Sequence, residues 1–139
     1  DPRIADTSQS NGFESDNCAD GSLVSPYTTA VFSNITFIGP LGRDAGFTND
    51  ESYINAGSFN PNNGSALGKF QSAMQIRRSS RLNCFNSVAV GYPVGLIIDG
   101  EKGNTVEQAQ EGIINLQNIW FAGMTVTGSD ANKVYDDVL

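Results

Sequence analysis

Three short apolar segments of this chain share one pattern of polar and hydrophobic positions. Each segment begins with an asparagine, ends with a glycine five residues later, and follows an apolar residue two positions upstream. The asparagines are Asn34, Asn86 and Asn118, and the glycines are Gly39, Gly91 and Gly123. A strand that repeats with a turn residue at its start and a glycine at its end predicts a β-solenoid, in which successive rungs stack along one axis.

Alignment of the three segments predicts which side chains share a face. Residues two apart lie on the same side of a strand, so every second position forms a column. The columns on one side are Ile35, Ser87 and Ile119, and then Phe37, Ala89 and Phe121. Large residues flank a small one in both, which lets stacked layers fill one core without overpacking. The opposite columns are also largely apolar, and they are Thr36, Val88 and Trp120, and then Ile38, Val90 and Ala122.

The residues at and just before the start of each segment lead to two further predictions. The three stacked asparagines are expected to bond side chain to side chain in a ladder, although asparagine also begins unrelated turns. Cys84 occupies the repeat position of Phe32 and Leu116, so it is predicted to be a small buried core residue. Cys18 lies in a polar loop, and a Cys18–Cys84 disulfide would join that loop to the stack in an oxidising compartment.

The whole chain, residues 1–139, is predicted to form one partial solenoid domain. Its parts are a loop at 1–29, a first rung at 30–40, a long loop at 41–69, a second rung at 70–100, an excursion at 101–112, a third rung at 113–128, and an acidic tail at 129–139. Within the excursion, residues 105–112 are predicted to form one or two helical turns. A short helix is predicted to begin near Ser129. The first rung leaves an open edge, so we expect the remainder of the same polypeptide or a companion chain to cover it.

Composition narrows the classes of partner. The chain has 139 residues and a net charge of −7, which argues against nucleic acid and anionic membrane surfaces. No apolar run approaches the length of a membrane span. An acidic sequence rich in Asn, Gly and Ser fits an extracellular setting. Because it begins at Asp1 without Met and shows no signal peptide, we expect a processed product or a piece of a longer protein.

Four segments of the chain resemble one family. They are residues 10–17, 32–40, 73–78 and 85–100, and the likeness extends over residues 8–123. The sequence resembles the C-terminal half of large Bacteroidetes surface proteins, although Cys18 stands where that family has an acidic residue or glycine. The resemblance implies a fragment of an all-β, right-handed parallel β-helix of the pectate-lyase type, with about three rungs and long loops. It also implies a secreted or lipoprotein-anchored protein at the extracellular face of the outer membrane, with an outer-membrane transporter complex as a partner.

Few residues of the chain are candidates for catalysis or for binding a metal ion or a sugar. The chain has no histidine, which removes Ser-His-Asp and Cys-His arrangements and the usual zinc sites. The loop carboxylates Glu14, Asp16 and Asp20 are candidate ligands for calcium, the only cofactor suggested, although such residues also simply form turns. Arg77 and Arg81, with the neighbouring Arg78 and with Asp99, are candidate residues for binding an acidic sugar or for lyase-like catalysis. The alternative is that these arginines pair with outward carboxylates.

The leading functional hypothesis is a non-enzymatic cell-surface scaffold or binding module linked to nutrient capture or envelope assembly. Its predicted interface is the outward apolar column, represented by Trp120, Val88 and the nearby Tyr92. Outward aromatic rings, including Tyr53, also suit stacking on sugar rings, or packing under the long loop. The alternative hypothesis is a carbohydrate-active, polysaccharide-lyase-like protein that acts on acidic glycans, although none of the usual catalytic signatures is present.

Overall fold

The computed structural model describes residues 11–43, 72–92, 94–124, 128–129 and 133–136. This part of the chain contains nine strands and two short helical segments. In order they are β1 (Phe13–Ser15), β2 (Val31–Ser33), β3 (Thr36–Ile38), α1 (Pro40–Arg43), β4 (Ser72–Arg77), β5 (Asn83–Val90), β6 (Val94–Asp99), α2 (Thr105–Gln110), β7 (Leu116–Ala122), β8 (Gly128–Ser129) and β9 (Lys133–Asp136).

The strands form two sheets. The first has the order β1-β4-β6-β9-β8; β4 pairs in parallel with β1 and β6, whereas β9 runs antiparallel to both β6 and β8. In the second sheet β5 is central, and it pairs in parallel with β2, β3 and β7. β7 pairs along nearly all of one edge of β5. The opposite edge of β5 is therefore shared by β2 and β3.

The prediction of a right-handed parallel β-helix of about three rungs is wrong. The described strands make two separate sheets and no solenoid. A solenoid requires each coil to stack in parallel on the last, but the chain returns antiparallel at residues 133–136 and closes the first sheet with an antiparallel pair. The asparagine–glycine repeat therefore marks parallel stacking within one sheet, and that stacking does not require a solenoid.

Within the second sheet, the predicted register is confirmed. Phe37 pairs with Ala89 and Ala89 with Phe121, so the small residue lies between two rings. The outward columns also align, with Val88 between Thr36 and Trp120. Both Phe37 and Ala89 are buried. The alternation of polar and apolar residues thus places the core face of this sheet correctly.

The three asparagines adopt the same unusual backbone. Asn34, Asn86 and Asn118 have φ angles of 59°, 50° and 57°, in the left-handed region that asparagine tolerates better than most residues. The Asn118 amide donates to the Asn86 side-chain oxygen at 3.0 Å, so one step of the predicted ladder is present. No hydrogen bond joins the side chains of Asn34 and Asn86 within the described residues, so the predicted third member is missing.

Two of the glycines that end the segments, Gly39 and Gly91, are packed against backbone. At Gly39 and Gly91 the strand ladder continues, because their N–H groups donate to Val90 and Ala122 at 2.8 and 2.9 Å. Gly91 has a φ of 71°, which L side chains rarely adopt, and its α-carbon lies against α1. The chain therefore turns away from the second sheet at Gly91, directly after β5.

The two sheets enclose a common core. Met74, Ile76 and Leu96 from the first sheet are at most 1% exposed, and they belong to one cluster with Ala89 and Ile119 from the second. The ring of Phe13 on β1 also contacts Phe32 and Phe37, with centroid separations of 4.4 and 4.8 Å. Burial of these side chains against each other is the main term that holds the sheets together.

Local predictions had mixed outcomes. Helical structure expected at 105–112 is confirmed by α2. The loop predicted for residues 1–29 is interrupted by β1, and the short helix predicted to start near Ser129 is wrong, because residues 133–136 form the strand β9. Most of the long loop at 41–69, with Tyr53, lies outside the described residues.

Candidate functional sites

The candidate arginine and aspartate come together at one end of the first sheet. Arg77 on β4 and Asp99 on β6 are direct partners in the parallel register. Beside them is an open pocket of about 220 Å³. Its lining residues are Arg77, Arg78, Asp99, Glu101 and Lys102. Sequence reasoning missed Glu101 and Lys102, although their position directly after the end of β6 places them at the same edge of the sheet.

The arginines of this pocket are held by carboxylates from the loop around β1. Arg77 Nε donates to Asp16 Oδ1 at 2.7 Å, a further ion pair joins Arg77 to Glu14, and Arg78 Nη1 lies 3.1 Å from Asp16 Oδ2. Burial alone lowers the pKa of Arg77, but the hydrogen bond to Asp16 and the charge of Glu14 outweigh it and raise that pKa. Arg77 therefore keeps its proton, and it supplies charge rather than a catalytic base.

Asp99 is anchored in a buried network. Its side chain is 2% exposed, and its carboxylate accepts hydrogen bonds from Gln75 Nε2 and from the Glu101 backbone N–H, both at 2.9 Å. The Gln75 side-chain oxygen in turn accepts from Asn11 Nδ2 at 3.1 Å. Buried polar groups stabilise a fold when their partners are satisfied in this way. Asp99 thus fixes the start of the loop after β6.

Arg81 lies apart from this pocket, so the predicted grouping of Arg77, Arg81 and Asp99 is not formed. Its Nε donates to Gln108 Oε1 on α2 at 2.7 Å, and its guanidinium lies 3.6 Å from the centre of the Tyr27 ring. These contacts tie the loop before β2 to α2. The role of Arg81 in this structure is to connect neighbouring segments.

The three candidate calcium ligands do not converge. Glu14 and Asp16 are engaged by Arg77, whereas the Asp20 carboxylate accepts from the Ser22 backbone N–H at 3.0 Å. That N–H is the main cause of a lowered pKa at Asp20. Among the described residues, no group of three or more acidic, cysteine or histidine side chains is arranged to hold a metal ion.

The charges around the pocket compensate one another. Three cationic side chains line it, whereas two lining carboxylates and the two partners of Arg77 provide four negative charges. Among the side chains that the structure describes around the pocket, positive charge does not exceed negative charge, so these residues offer no net attraction to an acidic sugar. Its groups form an ion-pair network whose contribution to stability is modest because the pairs are partly exposed.

The two cysteines are separate free thiols, so the predicted Cys18–Cys84 disulfide is absent from this structure. Cys84 is buried, as its repeat position predicts, and its Sγ lies 3.5 Å from Ser87 Oγ in the core. Cys18 is half-buried in the loop after β1, where Asn17 Nδ2 donates to its sulfur.

The second candidate site is the outward surface of the second sheet, which we call the outer face. Its six positions are Thr36, Ile38, Val88, Val90, Trp120 and Ala122, in two rows across β3, β5 and β7. The exposed fractions of Trp120, Ile38 and Val88 are 74%, 65% and 39%. Tyr92, the third predicted interface residue, is buried at 9% and belongs to the core.

The strands that carry the outer face hold no charged residue. β3, β5 and β7 contain only apolar and neutral polar side chains, although the chain has 23 charged residues (8 basic, 15 acidic) and a net charge of −7. A surface from which charge is depleted, with an aromatic residue exposed on it, has the composition of the centre of a protein interface.

No protein-family model, curated protein or solved structure matches this chain. Within the described ranges, no helix is both long and apolar enough to cross a membrane. Function is therefore inferred from the two sites themselves. The outer face offers exposed apolar side chains, whereas Arg77, Arg78 and Asp99 in the pocket already have polar partners.

Burial of Tyr92 leads to a test of its place in the core. Burial raises the pKa of its hydroxyl above the ordinary value of 10.0. The folded state favours the neutral form of the Tyr92 hydroxyl. The free energy of unfolding is therefore unaffected by this group below the ordinary pKa, and it falls as the pH rises from there through the folded pKa. We expect Tyr92→Phe to flatten this alkaline decline in urea unfolding measured at a series of pH values. An unchanged slope would contradict the burial.

Proposed function

We infer that this chain is a non-enzymatic binding or scaffold module, and that its outer face contacts another polypeptide. The single observation that carries the proposal is the exposed, uncharged row of Thr36, Val88 and Trp120 on a parallel sheet. An acidic composition rich in Asn, Gly and Ser supports a cell-surface or secreted setting. The resemblance to Bacteroidetes surface proteins supports a role in nutrient capture or envelope assembly beside an outer-membrane transporter.

Physical chemistry favours coverage of this face in the working protein. All-parallel sheets occur almost entirely with both of their faces covered, and their strands are accordingly apolar on both sides, as they are here. Tryptophan is also one of the three residue types, with tyrosine and arginine, that are enriched among the residues that dominate binding energy at interfaces. Val88, which is the cross-strand neighbour of Trp120, and Ile38 at the opposite corner of the face are aliphatic. They suit a protein surface better than a sugar, which is recognised by polar groups placed around an aromatic ring.

The pocket favours a binding role over polysaccharide-lyase-like activity. A lyase needs a base that can accept a proton. The raised pKa of Arg77 keeps its guanidinium protonated, so Arg77 cannot act as that base. The carboxylate of Asp99 is buried and accepts hydrogen bonds from Gln75 and the Glu101 backbone. On acidic polysaccharides we therefore expect no increase in the absorbance of unsaturated products.

Photo-crosslinking at the outer face tests the proposal. A photoreactive amino acid at position 88 is expected to form a covalent adduct with a second polypeptide on intact cells of the source organism. Mass spectrometry of the adduct identifies the peptide that lies on the face. The matched control places the same amino acid at position 107, where exposed Glu107 lies on α2 and away from the outer face.

Two outcomes would contradict the proposal. Adducts at position 88 that contain only peptides of the same molecule would mean that the chain covers its own outer face. Equal yields of intermolecular adducts at positions 88 and 107 would mean that the outer face has no preference for a partner.

A further inference from the structure

The six side chains of the outer face vary in size in a regular way. In the first row, from β3 across β5 to β7, size increases from Thr36 through Val88 to Trp120. In the second row it decreases in the same direction, from Ile38 through Val90 to Ala122. The face therefore has a large residue at each of two opposite corners and a small residue at each of the other two corners.

We propose that the outer face binds a second copy of this chain, related by a two-fold axis that runs parallel to β5. Such an axis reverses the order of the strands but preserves their direction. It places Trp120 of one copy over Thr36 of the other, and Ile38 over Ala122. Each large side chain thus meets a small one, while Val88 and Val90 meet their own counterparts. This inference rests on the proposed function, since it names the partner of the same face.

Electrostatics also favour this mode of pairing. Two copies that each carry a net charge of −7 repel one another, and the repulsion is strongest where acidic side chains approach closely. The strands that form the outer face carry no charged residue, so among the described residues contact through it keeps acidic side chains out of the centre of the interface. Two-fold symmetric dimers are the commonest oligomers, because one self-complementary patch serves both partners.

The small size of the face predicts a weak dimer. A large aromatic side chain buries roughly 150–250 Å², and the five other side chains of the face are smaller and partly covered already. Even with all six buried, each copy contributes less than the roughly 800 Å² per partner of a standard interface. We therefore expect reversible association that becomes measurable at high protein concentration.

Cysteine trapping tests the two-fold axis directly. In a Cys18→Ser background, Val88→Cys places a thiol near the axis, so mild oxidation is expected to link two copies. Glu107→Cys is the matched control, because Glu107 is exposed on α2 and lies outside the outer face. Equal linkage of the two variants would overturn the proposal.

A size swap tests the packing of the corners. Trp120→Thr and Thr36→Trp are each expected to weaken association by about tenfold in sedimentation equilibrium, since each places two similar residues opposite one another. The double variant restores a large residue over a small one, and it is expected to recover most of the loss. A double variant weaker than both single variants would overturn the two-fold arrangement.

Failure of this inference can be told apart from failure of the proposed function. If photo-crosslinking at position 88 joins a different polypeptide, the face is a binding face and the dimer is wrong. If it joins peptides of the same sequence between two isotopically distinct copies, both are supported. If no intermolecular adduct exceeds the control at position 107, both are overturned.

Discussion

Met74→Ala is expected to lower the free energy of unfolding by about 3 kcal/mol, within the range measured for truncation of buried methionine and leucine. Met74 is completely buried at the centre of β4, between Phe13 on β1 and Leu96 on β6 in the strand register. The substitution removes apolar contacts and leaves a cavity, because rigid strands on both sides prevent the site from closing. Urea unfolding followed by circular dichroism measures the effect.

Val31→Ala is the control for this substitution. Val31 also lies in a strand, but 64% of it is exposed, and we expect a change within about 0.5 kcal/mol. A loss below about 1 kcal/mol for Met74→Ala would contradict a densely packed core shared by the two sheets.

Ala89→Phe is expected to destabilise the fold by about 2–3 kcal/mol through overpacking. Ala89 is fully buried and lies in register between Phe37 and Phe121, so a third ring has no space in that column. The substitution forces side chains from their preferred rotamers or moves β5 relative to its neighbours. The unfolding free energy in urea measures the loss, and Val90→Phe, on the outward column, is the matched control.

A compensating change separates overpacking from a general loss of folding. The double variant Ala89→Phe with Phe121→Ala moves the ring by one strand and keeps the volume of the column. Its destabilisation is expected to be at least about 1 kcal/mol smaller than the sum of the single effects, since residues in contact are not additive. Additive effects would mean that the two side chains do not share one column.

Much of the second sheet could be predicted from sequence. Asparagine tolerates the left-handed backbone, so Asn34, Asn86 and Asn118 mark equivalent positions in β2/β3, β5 and β7. Once those positions are aligned, the alternation of side chains fixes both the core column and the outer face. The path of the chain between the sheets depends on distant pairings that the repeat does not encode, and this is why the β-helix prediction failed.

The structural features that the sequence did not predict are short strands and contacts between residues far apart in the chain. Strand β1 has three residues within a polar stretch, and β9 has four residues whose pattern also suits a helix. Their conformation is determined by pairing with β4 and β6 rather than by their own sequence. Similarly, nothing in the local sequence of Arg81 indicates that it contacts Tyr27 and α2 instead of the pocket.

Fluorescence of the single tryptophan offers the most direct test of an outer face that is open in the free chain and covered on association. Trp120 is the only tryptophan among the 139 residues, and it is 74% exposed. At low concentration we predict red-shifted emission that acrylamide quenches readily. As the concentration rises, the emission is predicted to shift to the blue and the quenching to decrease, whereas Trp120→Phe abolishes the signal. Blue-shifted, poorly quenched emission at the lowest concentration would contradict an open face.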